Sequence, residues 1–108
     1  MKQRENADFF DVSYGLASVA ITATGLVVVA TTGGDYHGLS FVAGTTQCTL
    51  TIFDSASATA GNILDIMVVN PGGNVWNDRY KPIRAKKGIT VSVVGTGGTG
   101  AIFYGPKG

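Results

Sequence analysis

The sequence predicts an all-β chain: an antiparallel two-sheet sandwich, jelly-roll or Greek-key-like, of about eight short strands with an extended N-terminal arm. Three observations predict it. Val, Ile and Thr supply 31 of the 108 residues, and β-branched side chains suit a pleated surface. Strong helix formers are scarce, with one Glu (Glu5) and two Gln (Gln3 and Gln47). The 16 glycines punctuate the chain. Turn signals recur at roughly ten-residue intervals, the spacing of a sandwich or barrel.

The elements follow in chain order. Residues 1–15 read as an arm: Met1 to Asp8 is polar and charged, and Phe9, Phe10 and Tyr14 follow. Two readings of the arm stand. Its aromatics fold back on their own core, or they dock on a neighbouring subunit. Residues 16–108 form a single sandwich domain. Ser18 to Thr24 is its first strand, with Val19, Ile21 and Ala23 on one face. Leu26 to Thr31 is continuously apolar, which predicts a strand covered on both sides. Tyr36 to Val42 alternates, with Leu39 and Phe41 together. Gln47 to Phe53 sends Cys48, Leu50 and Ile52 one way and Gln47, Thr49 and Thr51 the other. Ser55 to Ala60 is a loop. Ile63 to Val69 is apolar almost throughout and is expected at a sheet centre. Asn70-Pro71-Gly72-Gly73 is a turn, because Pro presets φ and Gly accepts positive φ. Val75 to Tyr80 is a weaker strand, and Pro82 to Arg84 starts an edge or a bend. Ile89 to Val94 points Ile89, Val91 and Val93 inward. Gly95 to Gly100 is a hairpin turn, and Ala101 to Tyr104 closes the domain.

Composition excludes several classes. With 44% hydrophobic residues the chain is not a disordered tail. Its net charge of +1 argues against a generally basic nucleic-acid binder. A chain of this length buries roughly two-thirds of its unfolded surface, so one core sustains it. Cys48 is the single cysteine, expected as a small buried hydrophobe, and folding in a reducing cytoplasm fits. The opening MKQRENADFF lacks the apolar core of a secretory signal. Leu16 to Ala30 falls short of the ~20 residues a membrane helix needs.

The motifs are thin on chemistry. Gly95 to Gly100 matches G-x-G-x-x-G, but only AIFYGPKG follows, with no room for the helix a dinucleotide site requires. His37, the one histidine, pairs at most with Asp35, two residues away on a strand. One His and one Cys give no metal-ligand spacing. The carboxylates are scattered singly, so no cofactor, metal or catalytic residue is expected, and the chain is read as a non-enzyme. Trp76 is expected in the core, with a subunit interface or sugar stacking as alternatives. Arg79, Lys81, Arg84, Lys86 and Lys87 gather five of the eight cations in nine residues. They serve as a solvated edge whose lysines deter strand pairing, as a contact for an acidic protein surface or, the weakest of the three readings, as a contact for nucleic acid.

From Pro82 the chain reads PIRAKKGITVSVVG, then a glycine turn, then Ala101-Ile102-Phe103-Tyr104. This G-[LI]-x-V-x-V-x-G strand, Gly/Thr turn and closing strand ending in Tyr resemble the last hairpin of small bacteriophage virion proteins. Head decoration (cement) proteins and head-fibre or tail modules are among them. The resemblance spans roughly residues 60–108. It implies a trimeric jelly-roll-like protein, made in the bacterial cytoplasm, that sits on the capsid surface and stabilises the lattice of the major capsid protein. In that setting Phe9, Phe10 and Tyr14 anchor the arm, and Arg79, Lys81, Arg84, Lys86 and Lys87 meet an acidic capsid surface. No nucleic acid or membrane partner is expected. The alternative is a tail-fibre or receptor-binding module that recognises a host glycan on an aromatic platform built from Trp76 or Tyr36.

Overall fold

A computed structural model describes residues 17–22, 24–57 and 61–106, with the backbone alone at residues 78–80 and 106. The arm, with Phe9, Phe10 and Tyr14, lies outside the described residues. Eight strands occupy the rest: β1 Ala17–Ile21, β2 Gly25–Ala30, β3 Gly34–Val42, β4 Cys48–Phe53, β5 Ile63–Val69, β6 Asn74–Ala85, β7 Ile89–Val94 and β8 Thr99–Pro106. They form two antiparallel four-stranded sheets, ordered β1-β8-β3-β6 and β2-β7-β4-β5. The pairing is nested. β4 pairs with β5, β3 with β6, β2 with β7 and β1 with β8, as in one long hairpin. Pairing of β3 with β8 and of β4 with β7 rolls that hairpin into two layers. This is jelly-roll connectivity.

The core is made by inward rows at period two, as the sequence pattern requires. Cys48, Leu50 and Ile52 on β4 are buried, as are Ile89, Val91 and Val93 on β7 and Leu39 and Phe41 on β3. Tyr36 is buried too, although it lies an odd number of residues from Leu39. A bulge between Tyr36 and Gly38, present against both β6 and β8, corrects the parity. The Asn70–Gly73 turn closes with the Gly73 N–H donating to the Asn70 carbonyl at 2.8 Å.

Four expectations are corrected. β2 is not covered on both sides, and β5 is not central; each is an edge strand of its sheet. Leu26 and Val28 on β2, and Ile63, Ile66 and Val68 on β5, are consequently exposed. The two segments expected over Val75–Tyr80 and Pro82–Arg84 are one strand, β6. Proline is tolerated there because β6 is an edge. Finally, β7 and β8 are not a hairpin, since they lie in opposite sheets and the glycine run carries the chain across.

That crossing explains one glycine directly. Gly95 has φ +113°, and a Cβ there would meet the Gln47 carbonyl oxygen and the Cys48 Cα. Gly95→Ala is expected to destabilise by about 2–4 kcal/mol, a fall in Tm of roughly 10–20 °C in a thermal melt.

Candidate functional site

The described carboxylates are engaged in structural contacts. Asp54 directly follows β4 and is buried. Its carboxylate accepts the backbone N–H groups of Lys87 at 2.8 Å, Lys86 at 3.1 Å and Gly88 at 3.4 Å. Burial pushes this carboxyl up, but the three donors and the nearby Lys87 charge outweigh it and hold the group below its ordinary value. Asp54 thus stays ionised and clamps the loop where the chain passes from β6 to β7. Asp65 on β5 accepts the Tyr36 hydroxyl at 2.9 Å and the Asn77 amide at 2.7 Å, tying one sheet to β3 and β6 of the other. Asp35 takes the Arg84 guanidinium Nε–H. His37 and Asp35 both lie over Gly105, and Asp35 is ion-paired with Arg84. Among the described residues, no group of three or more His, Cys, Asp or Glu side chains could hold a metal, and no helix is long and apolar enough to cross a membrane.

The basic cluster lies along one edge. Lys81 and Arg84 stand exposed on edge strand β6, and Lys86 and Lys87 are exposed in the loop that follows. The Arg79 side chain lies outside the described residues. Against β3, the register passes from Tyr36–Ile83 to Gly38–Asp78, so β6 carries three more residues than its partner over that stretch. Lys81 and Pro82 fall within this excess.

Sequence reasoning missed the broadest feature of the surface, the outer face of the β2-β7-β4-β5 sheet. Its middle row runs Leu26, Ser92, Thr51, Ile66 across the four strands. Val28, Thr90, Phe53 and Ile63 form the row on one side, and Val94, Thr49 and Val68 the row on the other. None of these residues is charged. Six of them (Leu26, Val28, Ile63, Ile66, Val68 and Val94) are 44–63% exposed. The signal was present in the apolar runs LVVVA and ILDIMVV, which fill both faces of their strands although a two-layer sandwich covers only one.

Trp76 is not in the core. It stands 72% exposed on the outer face of the other sheet, opposite Ser40. Beside it lies a shallow groove of about 370 Å³ whose lining includes Ser40, Val42, Asn74, Thr99 and Gly100. Tyr36, the other proposed platform residue, is fully buried with its hydroxyl on Asp65 and presents no ring to a ligand.

No family model matches the sequence, and no curated protein and no solved structure matches the chain. What the molecule itself defines is a jelly-roll sandwich with one uncharged apolar face and one basic edge.

The Asp54 clamp sets an acid limit. Its folded-state pKa lies below the ordinary 3.8, so its contribution is complete above 3.8 and is lost as pH falls below that value through the depressed folded-state pKa. Chemical denaturation across pH 2–7 should show this drop. Asp54→Asn should lower stability by about 1–3 kcal/mol at pH 7 and remove that part of the acid dependence.

Proposed function

We propose that the chain is a structural virion protein, a bacteriophage capsid decoration or cement protein that binds the outer lattice of the major capsid protein and stabilises it. The observation that carries this reading is the surface: a jelly roll, an architecture used in viral capsids, with a broad apolar face that holds no charge. A lone monomer rarely leaves such a face in water, whereas a subunit covered by copies of itself and by a shell does so only before assembly. The basic edge of Lys81, Lys86 and Lys87, with Arg79 and Arg84, is the side that meets an acidic capsid surface. The arm, through Phe9, Phe10 and Tyr14, links neighbouring subunits of a trimer. The protein is made in the bacterial cytoplasm and works on the particle surface without catalysis.

The mechanism is linkage. A protein that binds the assembled lattice and not its separated subunits lowers the free energy of the lattice alone. Several modest contacts per oligomer act together through effective concentration. Purified protein added to bare capsids should co-sediment with them and raise their disruption temperature; capsids that neither bind it nor gain stability would overturn the reading. Reversing Lys81, Lys86 and Lys87 to Glu should weaken binding by about tenfold or more and flatten its salt dependence.

A second reading has its own observation in Trp76. An exposed indole beside a shallow groove with the Ser40 and Thr99 hydroxyls and the Asn74 amide suits stacking on a sugar ring, and jelly rolls also serve as lectin domains. This is the tail-fibre or receptor-binding module that recognises a host glycan. A glycan array should then light up with the native chain and go dark with Trp76→Ala. A blank array for the native chain removes this reading.

A further inference from the structure

The two lateral sides of the sandwich are finished differently. On one side, edge strand β5 is stitched to the opposite layer by Asp65, which accepts the Tyr36 hydroxyl of β3 at 2.9 Å and the Asn77 amide of β6 at 2.7 Å. On the other side stand β1 and β2, edges of opposite sheets joined through residues 22–24. Among the described residues no hydrogen bond runs from β1 to β2. Both strands lead away from that link, so their far ends, Ala17 and Ala30, lie at the same end of the sandwich. A groove of about 330 Å³ opens there, lined by Val28 to Gly33 and by Tyr104. Tyr104 is the register partner of Ala17 and packs against the core without being fully buried. The chain therefore enters the sandwich at the rim of this groove.

We infer that Tyr14 fills this groove on its own chain and closes the side that β1 and β2 leave open. Length and chemistry both point to it. Tyr14 precedes Ala17 by three residues, about 10 Å of extended chain, and packed sheets stand about 10 Å apart. A side chain at that position spans the step from the layer of β1 to the layer of β2. Gly15, next to Tyr14, turns the chain off the line of β1 at little steric cost. The groove itself is mixed: Val28, Val29 and Ala30 supply an apolar wall, and Thr31 and Thr32 a polar rim. Tyrosine suits such a place, because its ring is buried as an apolar body while its hydroxyl keeps a polar partner. The tether selects this occupant over an arm from another copy. A link of three residues holds Tyr14 at the groove at an effective concentration on the order of millimolar, which a separate molecule in dilute solution does not match.

The arm then has a root and a tip. Phe9 and Phe10 stand five and four residues beyond Tyr14, roughly 13–17 Å farther along an extended chain. They stay available to a neighbour and carry the link between subunits, while Tyr14 anchors the arm to its own subunit. A fixed root shortens the free segment, so less conformational entropy is lost when the tip docks. This assignment rests on the arm of the reading above and not on capsid binding.

The test uses the purified full chain without capsids. In NMR spectra the Tyr14 ring should show nuclear Overhauser contacts to the methyl groups of Val28, Val29 and Ala30. An isotope-filtered spectrum of mixed labelled and unlabelled chains should lack them, which makes them contacts within one chain. In thermal melts at micromolar concentration, Tyr14→Ala should lower Tm by roughly 5–10 °C, because an aromatic ring is no longer buried. Tyr14→Phe, which keeps the ring, should melt close to the native chain, and so should the double variant Phe9→Ala with Phe10→Ala. Ring contacts that are absent, or that occur only between copies, overturn the inference, as does a Tyr14→Ala chain that melts with the native one. A chain that binds no capsid leaves the groove contact standing, and a Tyr14 that stays out of the groove leaves the capsid-binding experiment to be judged separately.

Discussion

A two-layer sandwich covers one face of each strand and leaves the other to whatever surrounds the molecule. Everything distinctive about this chain follows from that limit. The inward rows on β3, β4 and β7 are complete, and they form a dry centre from Leu39, Phe41, Leu50, Ile52, Ile89 and Val91. At roughly 25 cal/mol per Å² of apolar surface removed from water, these rows are the dominant favourable contribution to folding. The same physics makes the second apolar set, on the outward side of β2 and β5, a cost in the isolated molecule and a gain in an assembled one.

Two carboxylates hold the layers where apolar packing gives way to polar contacts. Asp65 reaches across from β5 to the Tyr36 hydroxyl and the Asn77 amide, so the lateral edge formed by β5 and β6 is fixed by directional hydrogen bonds. Asp54 acts on a different scale. It offers an anion to three consecutive backbone N–H groups that the crossing from β6 to β7 leaves without ladder partners. A buried carboxylate is tolerated there because its donors are charge-assisted and fixed by the loop geometry.

The strands were legible because period-two alternation in Gln47 to Phe53 and Ile89 to Val94 leaves no other way to bury one face. Position within a sheet was not legible. LVVVA and ILDIMVV carry apolar residues at both parities, and a covered central strand and an edge strand with an uncovered face look alike at that level. Pairing partners were also hidden. β7 and β8 follow each other through a glycine turn yet belong to different sheets, because Gly95 turns the chain across the sandwich rather than back along it. Trp76 was misplaced for a related reason: alternation puts it on the side of β6 that faces outward with Asn74, while Val75 packs against the core. Of the residues singled out as partner-binding, the basic ones share one exposed edge as far as their side chains are described. Which chemistry that edge serves is a matter of its partner, and no local pattern encodes a partner.

The nested pairing also has a kinetic side. The innermost pair, β4 with β5, closes over residues 54–62 alone, while the outermost brings Ala17 against Tyr104 across nearly the whole described chain. Loop-closure entropy rises by about 0.6 kcal/mol for each doubling of the closed loop, so each shell of the nest is harder to close from the unfolded chain than the one inside it. High contact order of this kind places the molecule among slow folders. Closure proceeds most cheaply from the β4–β5 centre outward, with β1 added last, and β1 is the strand through which residues 1–16 join the sandwich.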